Sequence, residues 1–301
     1  MSDPLYGGGY PAFYESADAA SLTGQNQYLL AMRVRLGGLV LGTIGGSVFV
    51  STGFVALGGW MALGGFLVAL VAEIWNAVQK PDRAWYEGRA AAESAKTLAW
   101  RYAVKGESFE DGTDANRELV ARVTELLDDL KDVDLPSSSK TTDQVTAKMR
   151  EIRSASFEER RSAYREGRIE DQRSWYAKKA DWNRKAAHGW TLLLFVFELL
   201  GVVGGVLLIT GTLTVDLLGL FAALAAAVTA WTQAKQFKTL ATAYGVTAQE
   251  LSGVKNELDE VKDEAEWAQF VGQAEEAISR EHTLWRASRG VRISGPRSGP
   301  A

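Results

Sequence analysis

From Leu36 to Ala72 the chain runs for 37 residues without an Asp, Glu, Lys or Arg. As one helix that stretch would measure about 55 Å, against about 30 Å for the hydrocarbon core of a bilayer. It therefore reads as two spans and a turn. Ser51-Thr52-Gly53 supplies the polar turn, placing the spans at about Val34–Val50 and Phe54–Trp75, with Trp75 as an interfacial anchor. A second pair follows at Trp190–Ile209 and Leu213–Trp231, joined by Thr210-Gly211-Thr212. Trp190–Ile209 holds 14 Leu, Ile, Val or Phe residues and one carboxylate, Glu198. Each such apolar residue favours insertion by up to about 0.3–0.6 kcal/mol at the bilayer centre, and a central carboxylate costs about 3 kcal/mol. The balance favours membrane hairpins over the competing reading, a soluble protein with two buried apolar hairpins.

Lys and Arg orient the hairpins. Arg33, Arg35, Lys80 and Arg83 flank the first, Arg184, Lys185, Lys235 and Lys238 flank the second, and the turns carry none. Cationic flanks stay on the cytoplasmic side, so both termini and the long middle segment are expected there, in a multi-pass protein of the bacterial inner (plasma) membrane. The first 35 residues lack an apolar core, so no cleaved signal peptide is expected. A net charge of −4 argues against a general nucleic-acid binder. The absence of cysteine excludes disulfides, thiolate zinc sites and cysteine nucleophiles.

Lipid gives helices no hydrophobic reason to associate, so small residues that let backbones approach carry much of the packing. Gly38, Gly42 and Gly46 form one four-residue repeat, Gly201 and Gly205 another, and Gly58, Ala62, Gly65 and Ala69 continue the pattern in the second span. Glu198 lies three and seven residues before Gly201 and Gly205, which assigns it to their contact face. There it either lines a polar path and gates it, or holds neighbouring helices together by hydrogen bonding. Glu73 extends the Gly58–Ala69 stripe close to the cytoplasmic boundary, where reaching the headgroups is the simpler reading.

The polar remainder reads as helix. Lys80–Gly106 has an Ala-rich body and a glycine stop, and a shorter helix places Leu119, Val123, Leu126 and Leu130 on one face. A charged helix is expected from about Thr142 to Arg184, leading into the second hairpin. Leu251, Val254, Leu258 and Val261, followed by Ala265 and Ala268, recur in steps of three and four, the seam of a coiled coil that would pair subunits or hairpins. The expected organisation is a disordered tail over 1–24, a first unit over 25–131 (hairpin about 34–75, cytoplasmic helices 81–131), and a linker over 132–143 around Ser137-Ser138-Ser139. A second unit covers 144–289 (hairpin about 190–231, cytoplasmic helix about 246–287), and a disordered tail 290–301. The fold class is an all-α integral membrane protein with two hairpins, four spans and long cytoplasmic helices.

Catalytic signatures are missing: there is no P-loop, strand-linked dinucleotide fingerprint, zinc-protease helix or calcium loop. No catalytic, cofactor-binding or metal-ligating residue is assigned, and the chain is not expected to be an enzyme. His282 with Glu281 and Glu275 is better read as part of a solvated charged helix than as a metal site, and His188 as interfacial. The Arg-rich stretch EERRSAYREGRIEDQR is interleaved with acids and reads as a salt-bridged helix rather than a nucleotide site.

Three stretches carry a family resemblance: KPDRAWYEGRAAAESAKTLAWRYAV after the first hairpin, RIEDQRSWYAKKADWNRKAAHGW before the second, and AISREHTLWRASR near the end. They resemble the SLATT family, bacterial two-transmembrane-helix proteins associated with nucleotide-synthesising SMODS and nucleotide-sensing SLOG components. The resemblance covers about residues 25–131 and 155–289, two units in tandem. It implies a membrane effector that forms a pore when a nucleotide signal or stress is sensed, in anti-phage or similar conflict. The implied partners are the bilayer, further copies of the chain, and a nucleotide-synthesising or nucleotide-sensing protein. The alternative is a non-conducting scaffold that recruits a cytoplasmic enzyme or sensor through its helices.

Overall fold

The structure, a computed structural model, describes residues 3–49, 52–111, 114–128, 130, 133–137 and 140–288, with 280–288 as backbone. The described residues form helices and connecting turns, without strands. In order these are α1 (Ala12–Ile44) continued by a π-helical turn (Gly45–Phe49), α2 (Val55–Gln79), α3 (Pro81–Ala103), α4 (Ala115–Asp128), α5 (Ala147–Ser154) and α6 (Phe157–Tyr164). A second π-helical turn (Arg165–Glu170), α7 (Asp171–Ile209), α8 (Leu217–Lys235), α9 (Phe237–Leu258) and α10 (Glu264–Ser288) complete it. Four helical stretches are long and apolar enough to cross a membrane: Ala12–Phe49, Val55–Gln79, Phe157–Ile209 and Leu217–Leu258. The protein is multi-pass.

The chain divides into two compact units, one of residues 26–81 and 179–242, the other of 1–25, 82–178 and 243–301. These cut across the tandem division: each takes residues from both sequence repeats. The first unit holds both hairpins. Gly53 and Gly211 take left-handed backbone in the connections, where a side chain would be strained. Ser51 in the first connection lies outside the described residues. In the second, the last span starts later than the expected Leu213. Asp216 caps α8 by accepting from the Gly219 N–H at 2.8 Å, and a carboxylate is favoured at a helix N-terminus.

The second unit is a polar-surfaced helical body around one core that includes Trp100, Tyr164 and Trp267, all fully buried. The expected disordered tail over 1–24 is a correction. Leu5, Tyr10, Phe13, Ala17 and Ala20 are buried, and from Tyr10 onward they recur in steps of three and four along α1. The stripe is hard to see in sequence because half of it is alanine. Asp3 anchors the first turn, accepting from the Leu5 N–H at 2.9 Å and the Tyr10 hydroxyl at 2.6 Å.

Three further boundaries differ from expectation. Helix α3 ends in a pair of bonds from the Gly106 N–H to the Arg101 carbonyl and from Lys105 to Tyr102, the Schellman arrangement. Lys105, not Gly106, takes the left-handed backbone there. Gly106 is required for a different reason, since a Cβ on it would lie 2.5 Å from Val271 Cγ1. The helix expected from Thr142 to Arg184 starts at Ala147 and is interrupted at Ala155-Ser156, where Ser156 and Glu159 form a reciprocal capping box that starts α6. The helix expected over 246–287 is two helices. Asp263 accepts from the Ala265 and Glu266 N–H groups, restarting the chain as α10 with Glu264 and Glu266 in its first turn. The described parts of the linker 132–143 are non-helical. Ser138, Ser139, the tail 290–301 and the side chains of Glu281 and His282 lie outside the described residues.

Candidate functional site

In the first hairpin α1 and α2 approach until backbone meets backbone. A Cβ on Gly38 would stand 2.7 Å from the Gly65 carbonyl oxygen, one on Gly42 3.3 Å from that of Ala62, and one on Gly45 2.7 Å from that of Gly58. Gly65 meets Gly38 and Gly42 from the other side. Gly46, expected on this face, looks into open space. At 100° per residue, a position eight on from Gly38 has rotated about 80° off the contact line, whereas one seven on is only about 20° away. Gly45 therefore takes the place assigned to Gly46.

In the second hairpin the outlier is Glu198. Gly201, Gly204 and Gly205 are buried and face α8: a Cβ on Gly204 would lie 2.7 Å from Leu217 Cβ, while Gly201 and Gly205 have ordinary contacts with Phe221 and Leu218. Phe197, not Glu198, continues this face, its ring 6.2 Å from that of Phe221. Glu198 is exposed on the outer side of the hairpin and makes no hydrogen bond or ion pair among the described residues. Its neighbours there are exposed apolar side chains, among them Phe195, Leu199 and Val202. Assignment of Glu198 to the Gly201–Gly205 contact face is thus corrected. Glu73 is ion-paired to Arg35 across the first hairpin at 2.9 Å, both half exposed.

On the same outer side a groove of about 500 Å³ between α7 and α8 is lined by Thr191, Thr229, Thr232, Gln233 and Gln236 among apolar residues. Thr191 and Glu198 are seven residues apart and so share a line along α7. The groove is the polar part of an otherwise apolar hairpin, and Glu198 lies about one turn beyond its end at Phe195.

Residues 11–161 match the family of SMODS and SLOG-associating 2TM effector domain 3, and residues 164–285 match domain 1 of the same series. The chain belongs to the SLATT family. No curated protein and no solved structure matches it. Two SLATT domains thus stand in tandem, with the boundary between Arg161 and Tyr164 inside α6. The first match begins at Pro11 and takes in the start of α1, which the resemblance at 25–131 had left out.

In the body of this SLATT chain the predicted seam is covered by the chain itself. Leu251, Leu258 and Val261 are buried in the core and Val254 is packed against it. Since α9 stops at Leu258, Val261 lies in the connection rather than on a continued helix face. These residues close an intramolecular core instead of presenting a free apolar stripe.

The Arg-rich stretch is bridged within itself, Arg161 to Glu158 and Arg173 to Glu170, and also to residues distant in sequence. Arg160 bonds Glu264, Arg161 bonds the carbonyls of Leu258 and Asp259, and Arg165 pairs with Asp259. Arg168 is fully buried against Glu275, with Nε to Oε1 at 2.9 Å and Nη2 to Oε2 at 2.6 Å. Burial opposes the charge on Arg168, but the Glu275 carboxylate and its hydrogen bonds outweigh it and lift the guanidinium above its ordinary range. Tyr164 and Thr97 donate to the same carboxylate at 3.0 and 2.9 Å. Nearby, the Trp100 indole donates to Tyr10 at 2.9 Å. The reading of Glu275 as part of a solvated charged helix is thus corrected, since it is fully buried; Arg168 enters the sequence reading only as one member of the Arg-rich stretch. Nothing in the sequence sets Arg168 apart from the other arginines of the stretch; the structure places it in a π-helical turn, a feature often found at functional or strained positions.

Proposed function

We propose that this SLATT chain is an effector of the bacterial inner membrane, with both termini cytoplasmic, that oligomerises and opens a pore in a nucleotide-signalled conflict, anti-phage or stress response. The observation that carries the reading is Glu198, an exposed carboxylate inside an apolar span. Left against lipid it is costly, whereas water or polar groups of another copy would satisfy it. The adjoining threonine and glutamine groove supports a wettable route along the same side of α7. Four spans are too few for an ample channel, so the pore is assembled from several copies. A signal from a separate nucleotide-synthesising or nucleotide-sensing partner would rearrange the cytoplasmic helices, change how the hairpins pack and wet the path past Glu198.

The scaffold alternative rested on a free coiled-coil seam, and the burial of Leu251, Leu258 and Val261 weakens it. The two readings separate on induced expression in cells, with and without candidate signalling partners, while growth and membrane potential are followed. A pore predicts depolarisation and arrest that Glu198→Gln reduces. Unchanged potential and growth under every condition would remove the main support for it.

A further inference from the structure

A second cleft in the hairpin unit is not lined by Glu198 and shares Trp190 and Val228 with the first groove. It has a volume of about 420 Å³ and is lined by α1, α7 and α8, with Leu36, Phe197 and Val228 inside and Arg33, Trp190 and Trp231 at one end. Phe197 is seven residues beyond Trp190, so the apolar part extends about 10 Å into the span from the Trp190 level. None of the described lining residues is acidic. Arg33 lies 5.3 Å over the Trp231 ring and Lys235 5.8 Å from it, with the Trp190 ring 6.4 Å away. Neither Arg33 nor Lys235 has a carboxylate partner among the described residues. Cations are thus gathered at headgroup level, above an apolar cleft, without a counter-charge.

We infer that this cleft binds one anionic phospholipid, with the phosphate between Arg33 and Lys235 and one acyl chain along Leu36, Phe197 and Val228. An isolated cluster of like charges is unfavourable, and an anion relieves it; the apolar cleft selects an anion that carries a chain. Arginine and lysine at the interface are suited to phosphate. Tryptophan rings with one polar edge suit the same depth. Each Lys or Arg near an anionic membrane surface contributes about 1 kcal/mol, so losing two weakens binding by about tenfold or more.

Native mass spectrometry of the full chain in detergent tests this. The chain is titrated with phosphatidylglycerol, phosphatidylcholine and, separately, inorganic phosphate and ATP. Retention of phosphatidylglycerol well above phosphatidylcholine is expected. The Arg33→Gln/Lys235→Gln variant should lose that preference, and Val228→Trp, which fills the cleft, should lower retention of lipid while keeping both cations. Unfolding midpoints of the variants are measured alongside, and Arg33→Gln alone serves where the double variant is unstable. Equal binding of the two lipids, or a variant with undiminished preference, overturns the proposal. Displacement of the lipid by phosphate or ATP at comparable concentration also overturns it, by making the site one for a soluble anion.

Discussion

Four hydrogen bonds converge on the Glu275 carboxylate, two from Arg168 and one each from Tyr164 and Thr97. Removing one member of such a pair leaves the other charged and dry, so Glu275→Leu should destabilise the body by about 3–5 kcal/mol in denaturant unfolding. Replacing both, as Arg168→Met/Glu275→Leu, should recover much of that loss, because the desolvation cost disappears with the charges. Glu170 gives a pH signature. The hydrogen bond from Arg173 is the largest influence on its carboxyl; burial opposes it, and with a further hydrogen bond from Lys255 the net effect is a fall from 4.5 to about 2. A depressed folded-state pKa means the stabilisation is complete above about pH 4.5 and is lost as pH falls toward 2. Glu170→Gln should therefore flatten the fall in unfolding midpoint over that acid window and leave it parallel to wild type at neutral pH.

At the scale of elements, the hairpins were legible because length and charge absence alone demand them, and the glycine repeats named most of the α1–α2 contact. What failed was phase. Counting in fours assigned Gly46 to a contact face from which a 3.6-residue helix rotates it, and Gly45 takes its place; Glu198, assigned by its spacing to Gly201 and Gly205, lies about 60° round the helix from Gly201, and Phe197 faces α8 instead. Gly45→Ala should then cost about 1–3 kcal/mol through overpacking against the Gly58 carbonyl, and Gly46→Ala should change stability by no more than about 1 kcal/mol; thermal unfolding in detergent compares them. The α9–α10 break was missed because Leu251, Val254, Leu258 and Val261 keep a helical rhythm across it. The local decision belongs to Asp263, whose capping bonds outweigh that rhythm. The ordered start of α1 was missed for a related reason, since small alanines carry half of its buried stripe. The Arg168–Glu275 pair joins residues 107 apart, and no local pattern announces such a contact.

For the whole molecule, tandem SLATT domains in sequence become two compact units that each draw on both repeats. Each unit therefore contains helices from both domains. In the hairpin unit Glu198 is an exposed carboxylate without an ion-pair partner among the described residues, and the proposed function rests on what covers it. The natural absence of cysteine makes this directly measurable. Single variants Glu198→Cys and Leu199→Cys, expressed in membranes, would be treated with a charged, water-soluble thiol reagent under conditions that activate the effector. An assembled pore predicts that position 198 reacts readily while position 199, about 100° around the helix, remains protected by lipid. Equal protection at both positions would contradict a water path past Glu198.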